Sequence, residues 1–110
     1  MTRLHQTTVH TAKVIAEMFA PQVETVVYDL THPLRIITHV FPGTLTGQKK
    51  GDSPTILSHF EATNFPPYLL NYEFTGPNNL KMKASTIFYK NELNCTQVAL
   101  SIYFNTDYFK

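Results

Sequence analysis

The feature that most constrains this chain is a run of three predicted strands, joined by two polar turns, in its C-terminal half. The first strand spans Tyr68 to Thr75 and is followed by GPNN, and the second spans Met82 to Lys90 and is followed by NELN. In the third strand, Thr96 to Asn105, apolar residues alternate with mixed ones at the two-residue period of a sheet. The pattern predicts an antiparallel meander whose two faces differ in character.

The residues before the meander predict one helix and two further strands. Apolar residues recur at helical spacing from Leu4 to Ala20, and Pro21 follows as a stop signal. Val23 to Leu30 is short and rich in β-branched residues, and a turn then leads to its hairpin partner, Leu34 to Phe41. The N-terminal part therefore reads as a helix followed by a β-hairpin.

A segment rich in glycine and proline separates the hairpin from the meander. The stretch from Pro42 to Pro54 contains three glycines and begins and ends with a proline, a composition that suits a loop wrapping a binding site. Ser53 is placed to cap a short helix, whose inner side would hold Ile56, Leu57 and Phe60. The whole pattern predicts an α+β fold: a five-stranded antiparallel sheet, an N-terminal helix at residues 1–22 outside its body, and a helical or loop insert between strands 2 and 3.

Composition indicates one domain in a reducing compartment. A chain of 110 residues is long enough for one core, and its 15% charged and 13% aromatic residues leave apolar surface for a second copy, so we expect a homodimer. The single cysteine, Cys95, forms no internal disulfide. No apolar run is long enough to cross a bilayer or to form a signal peptide, and we therefore expect a cytoplasmic protein.

Several classes of function find no support in the sequence. The nine basic residues are scattered and the net charge is +1, so we expect no direct nucleic-acid binding by this chain. No nucleophile lies at a recognisable spacing from a base, and we therefore do not expect this chain to be an enzyme. The aromatic cluster at Tyr103, Phe104, Tyr108 and Phe109 is read as core and interface rather than a platform for flavin or haem, so no cofactor is expected. The histidines fall in separate elements and predict no metal site: His5, His10, His32, His39 and His59.

Five stretches carry a resemblance to a known family. They are VETVVYDL, GTLTGQKKGDSPT, YLLNY, KASTIFY and VALSIYFN, within residues 23–107. Their order and spacing resemble those of the YheO-like PAS domain of bacterial transcriptional regulators. The chain departs from the family pattern at Thr44 and Gln48, where the family has His and Arg, and at Ala84, where the family has Ser.

The resemblance implies a sensor whose sheet clasps a ligand against the insert, with residues 23–110 forming the PAS-like sensor domain. It implies a ligand-sensing input domain of a transcriptional regulator, which passes its signal through a dimer to a DNA-binding segment absent from this chain. The chain stops at Lys110, as a piece of such a regulator or as a free-standing sensor. The alternative is a structural dimerisation module with no small-molecule ligand.

Candidate ligand contacts lie on two strands of the predicted meander. Asn71 and Tyr72 offer a carboxamide and a phenol to a small polar effector, or else serve as structural anchors. Alternation puts Lys83 and Ser85 on one face of the next strand, where an amine and a hydroxyl suit a carboxylate or amino-acid-like effector. The other interpretation of Lys83 is a side chain in solvent.

The loop supplies a further candidate contact. Thr46 and Gly47 stand where backbone amides can face an anion, because glycine permits the positive φ that such nests need. A plain turn is the alternative reading. Together the candidate contacts predict a small polar effector held between the sheet and the loop.

Overall fold

The computed structural model describes residues 2–54, 57, 60, 61 and 63–109. One helix, five strands and two 3₁₀ turns are described in full, and Thr2 caps the helix by accepting the backbone N–H of His5 at 3.1 Å. The elements in chain order are α1 Arg3–Met18, β1 Val23–Asp29, β2 Ile36–Phe41, β3 Tyr68–Thr75, the turn Pro77–Asn79, β4 Lys81–Lys90, β5 Thr96–Asn105 and the turn Thr106–Phe109. No helix within this described part of the chain is long and apolar enough to span a bilayer.

The five strands form one antiparallel sheet in the order β2-β1-β5-β4-β3. The predicted five-stranded antiparallel sheet is therefore confirmed, and both ends of β3 and of β5 lie where the sequence places them, at Tyr68–Thr75 and Thr96–Asn105. β1 and β5 lie side by side at the centre, with Val27 opposite Leu100. Because β2 and β3 are the two edges, the segment 42–67 that joins them has to cross one face of the sheet.

Helix α1 covers the other face, and it is part of the body of the fold rather than outside it as expected from the sequence. Ala12 is fully buried against Val27 and Leu100, and the hydroxyl of Thr25 donates to the carbonyl of Ala12 at 2.8 Å. The small side chains of Ala12 and Ala16 let the helix approach the sheet closely. A periodic stripe shows that a helix buries one side, but not which surface receives it.

The insert and the sheet enclose the larger core. Val26 and Ala99 lie at its base, and the tilted rings of Phe65 and Phe88 pack with their centroids 5.1 Å apart. Arg35, just before β2, donates to the carbonyl oxygens of Leu57 and Phe60 and so ties the insert to the sheet. The short helix predicted after Ser53 falls largely on residues outside those described, among them Ile56.

Candidate functional site

A cavity of about 470 Å³ lies between the sheet and the insert. Its volume falls within the range of about 300 to 1,000 Å³ that is common for small-molecule sites. Leu57 and Phe60 of the insert lie on one side, and residues of β1, β3, β4 and β5 lie on the other. Six aromatic side chains contribute to the described lining: Tyr28, Phe60, Tyr72, Phe74, Phe88 and Tyr103. A flat apolar body is the shape that such walls contact best.

Hydroxyl groups from four strands meet at the sheet side of the cavity. Tyr72 Oη and Thr86 Oγ1 are 2.8 Å apart, and Thr86 Oγ1 lies 2.6 Å from Ser101 Oγ. Tyr28 Oη and Tyr103 Oη form a third hydrogen bond at 3.1 Å. The strand order brings these groups together, since β1, β5, β4 and β3 are consecutive neighbours in the sheet.

The three phenols are held in their protonated form. Burial raises the pKa of Tyr28 to about 12 and the pKa of Tyr72 to about 12. Burial, reinforced by Tyr28, raises the pKa of Tyr103 further. A phenol with a raised pKa keeps its O–H donor at neutral pH, and the cavity disfavours charge.

Gln48 brings an unpaired donor to the same cavity. Its Nε2 atom is buried and forms no hydrogen bond of ordinary length and angle with any described residue. The Gln48 side chain lies close enough to Tyr103 to lower the pKa of that phenol, but burial raises the same pKa by more. A buried donor without a partner costs free energy, and a ligand oxygen placed there would remove that cost.

The loop that carries Gln48 is held by a buried carboxylate on β1. The side chain of Glu24 is fully buried, and its Oε1 accepts the backbone N–H groups of Gly43, Thr44 and Leu45 at 2.8, 2.7 and 3.0 Å. Its Oε2 accepts the N–H of Thr46 at 2.8 Å and also the hydroxyl of Thr46. The backbone amides of four successive loop residues, with Thr46 the last of them, therefore donate to a carboxylate of the protein itself.

Gly47 lets this loop pack against the turn between β3 and β4. Its φ is +77°, and a Cβ atom at this position would lie 2.9 Å from Cγ of Pro77. Any larger residue would meet both a strained backbone and this contact. Gly47 and Thr46 thus shape and hold the loop, and the next residue, Gln48, reaches the cavity.

Of the residues predicted on the strands, Tyr72 lines the cavity, whereas Asn71, Lys83 and Ser85 do not. Asn71 is exposed, and its backbone N–H donates to Ser85 Oγ at 3.0 Å. Lys83 is exposed on the face of β4 opposite to Thr86. The cavity lies over the face of β4 that carries Thr86 and not over the face that carries Lys83 and Ser85.

Several polar residues at the cavity were missed because they read as core residues. Thr86 belongs to an apolar face of β4, and Tyr28 belongs to a β-branched strand. Ser101 and Tyr103 stand on the mixed face of β5, and that alternation was the available signal. Gln48 was visible only as a departure from the family pattern.

Comparisons with known proteins agree with the fold described above. A model of the YheO-like PAS domain matches residues 2–110, essentially the entire chain. Among solved structures, the chain is similar to a fungal LOV domain photoreceptor at 12% sequence identity and a TM-score of 0.50, covering 76% of this chain and 74% of that chain. At this identity the likeness shows a PAS/LOV-like fold alone. No curated protein matches the sequence.

Proposed function

The chain belongs to the YheO-like PAS domain family, whose members are generally signal-sensing, and we propose that it senses a small molecule bound in the cavity between sheet and insert. The observation that carries the proposal is the cavity itself, which is lined in part by Gln48 with its unpaired buried donor. A protein that packed this region to native density with its own side chains would leave neither the space nor the donor.

The layers of the fold offer a route from the cavity to the surface. Tyr28 and Val26 of β1 face the insert, while Thr25 and Val27, their neighbours in the same strand, contact helix α1. A ligand that displaces β1 would therefore act on the packing of α1. We propose that the domain passes its signal in this way, through a dimer, to a DNA-binding segment of a cytoplasmic regulator.

A thermal-shift screen tests the proposal. Amino acids, small carboxylates, purines and neutral aromatic compounds would be added to the wild-type chain and to Leu69→Phe, which narrows the cavity from β3. A ligand at 100 times its Kd adds about 2.7 kcal/mol to the unfolding free energy, which is readily seen as a rise in Tm. We expect at least one class to raise the Tm of the wild type and Leu69→Phe to reduce that rise.

The matched control is Leu93→Phe, the same substitution at a side chain that is 80% exposed in the turn after β4. It should keep the full ligand response. A compound whose effect is equal in wild type and Leu69→Phe binds elsewhere and contradicts the cavity as the site.

The second candidate function is a structural dimerisation module, and exposed apolar residues on α1 favour it. Val14 and Met18 are 63% and 75% exposed, and Phe19 at the end of the helix is 49% exposed. In this case the cavity has no occupant. A stable dimer with no Tm response to any compound in the screen would favour the module over the sensor.

A further inference from the structure

The sheet side of the cavity carries hydroxyl groups that can donate hydrogen bonds to a ligand. Tyr72, Thr86 and Ser101 share two hydrogen bonds, and Tyr28 and Tyr103 share one. These three hydrogen bonds use three of the five O–H protons, and the hydroxyls at the ends of the cluster can turn a proton toward a ligand acceptor. The phenols are protonated at neutral pH, and burial raises their pKa values further, so their O–H groups remain donors.

The amide of Gln48 adds a donor that can only donate. Its Nε2 atom carries two protons and forms no hydrogen bond of ordinary geometry with a described residue. A ligand that only donates hydrogen bonds, or a pure hydrocarbon, would leave this amide donor unsatisfied. The cavity is therefore complementary to an oxygen or nitrogen atom that accepts.

The charge distribution selects among acceptors. Glu73, exposed on β3, is the charged residue of the described lining, and it carries a negative charge. A carboxylate ligand would lose its water, find no cation among the described lining residues and face Glu73. An ammonium ligand would be attracted by Glu73 but would bring no acceptor to the donors. A neutral ligand with an acceptor atom avoids the desolvation of a charge and still supplies a partner for the donors.

We infer that the cavity takes a neutral molecule with a flat apolar body and a carbonyl-type acceptor, whose oxygen accepts from the Gln48 amide and from the hydroxyl cluster. This inference rests on the proposed function and narrows it. It also revises the ligand class expected from the sequence, a polar carboxylate or amino-acid-like effector. That class was based on Lys83, which lies on the opposite face of β4.

Four probes that share one ring test the ligand class: acetophenone, benzoate, benzylamine and ethylbenzene. Each would be titrated into ¹⁵N-labelled protein while the backbone amides of Tyr72, Phe88 and Tyr103 and the side-chain amide of Gln48 are followed by NMR. One unmade hydrogen bond lowers affinity by about fivefold or more, so acetophenone should bind at least about fivefold more tightly than each of the others. The Gln48 side-chain signal should shift with acetophenone and stay in place with ethylbenzene.

A variant separates the hydrogen bond from simple packing. Gln48→Met keeps the length of the side chain and removes the donor, and it should weaken acetophenone by about fivefold or more while ethylbenzene stays within about twofold. Gln6→Met, the same change at an exposed position of α1, is the matched control and should leave both affinities unchanged.

Tightest binding by benzoate or benzylamine, or equal binding of acetophenone and ethylbenzene, would overturn the inference and leave the proposed sensing function standing. Absence of binding by all four probes would also overturn it, and the broader thermal-shift screen would then decide the sensing function separately. An equal loss of both affinities in Gln48→Met would assign Gln48 a packing role instead.

Discussion

Glu24 and Thr46 are joined by two hydrogen bonds, because one carboxylate oxygen of Glu24 accepts both the backbone N–H and the hydroxyl of Thr46. With the three preceding loop amides on its other oxygen, the carboxylate receives five donors in a fully buried position. Glu24 lies on the interior strand β1, and the loop begins after the edge strand β2. This side chain therefore fixes the loop that presents Gln48 to the cavity.

Replacement of Glu24 by glutamine should destabilise the protein. The glutamine NH₂ group would face donors on one side of the site, and each buried donor that loses its acceptor costs about 1 to 3 kcal/mol. We expect Glu24→Gln to lower the unfolding free energy by about 3 kcal/mol in urea titrations followed by circular dichroism. Glu17→Gln, the same change at an exposed residue of α1, should have almost no effect. Equal stability of the two variants would contradict the anchoring role of Glu24.

The sheet was predictable because its signals are local. Alternation along Thr96 to Asn105 and the turn-forming GPNN before Lys81 depend on neighbouring residues alone. The partner of Glu24 was not predictable in this way, since it lies about twenty positions further along the chain and consists of backbone amides, which every residue carries.

The cavity was harder to predict than the sheet for a related reason. It is an unfilled part of the core, so its lining includes core-like residues such as Phe88 and Leu57. A period of two separates the faces of β4 but does not say which face receives the insert. The polar face with Lys83 was chosen for its chemistry, whereas the fold places the cavity over the face with Thr86.

Asn71 offers a prediction about backbone conformation. Its φ is +55°, next to an irregularity in the pairing of β3 with β4, and its side chain is exposed. Asparagine tolerates this left-handed conformation and alanine does so poorly. We expect Asn71→Ala to lower the unfolding free energy by about 1 kcal/mol and Asn71→Gly to leave it within about 0.5 kcal/mol. An equal loss in both variants, measured by chemical denaturation, would assign the effect to the carboxamide instead of the backbone.

Two histidines meet at one hydroxyl where α1 packs on the sheet. His5 Nε2 lies 2.8 Å from Thr38 Oγ1, and His39 Nδ1 lies 2.9 Å from the same oxygen. The hydroxyl of Thr38 also donates to the carbonyl of Val27 at 3.3 Å. Because the two imidazole rings are only 6.0 Å apart, protonation of both would bring two positive charges together under the helix.

This pair should make the stability of the protein depend on pH. Burial lowers the pKa of His5 despite the opposing effect of Asp29, and burial together with Lys50 lowers the pKa of His39. Both folded-state pKa values lie below the ordinary value of 6.5, so the unfolded chain binds more protons and stability rises with pH. The contribution is complete above about pH 6.5 and is lost as the pH falls below it.

Urea unfolding from pH 8 to pH 5 measures this dependence. The range stays above the titration of Asp29, whose pKa is lowered because hydrogen bonds from Thr31 and His32 outweigh the raising effect of burial. We expect His5→Gln to lose less unfolding free energy than the wild type below pH 6.5, since glutamine does not titrate. His10→Gln on the exposed side of α1 is the control and should keep the wild-type slope. Identical slopes in all three proteins would exclude His5 as a source of the pH dependence.

The exposed apolar side of α1 yields a prediction about association. Val14 and Met18 are one turn apart and mostly exposed, so a second copy is the partner that would bury them in a homodimer. The double variant Val14→Glu with Met18→Glu should weaken self-association by about tenfold or more in sedimentation velocity, because two carboxylates would lose water in the interface. Leu93→Glu places the same charge at another exposed apolar residue, in the turn after β4, and should leave association unchanged.

Since Val14 and Met18 face away from the sheet, the double variant should keep the wild-type Tm. A wild-type chain that sediments as a monomer at high concentration would contradict the dimer. If Leu93→Glu weakened association equally, the effect would come from added charge in general, and α1 would not be the contact.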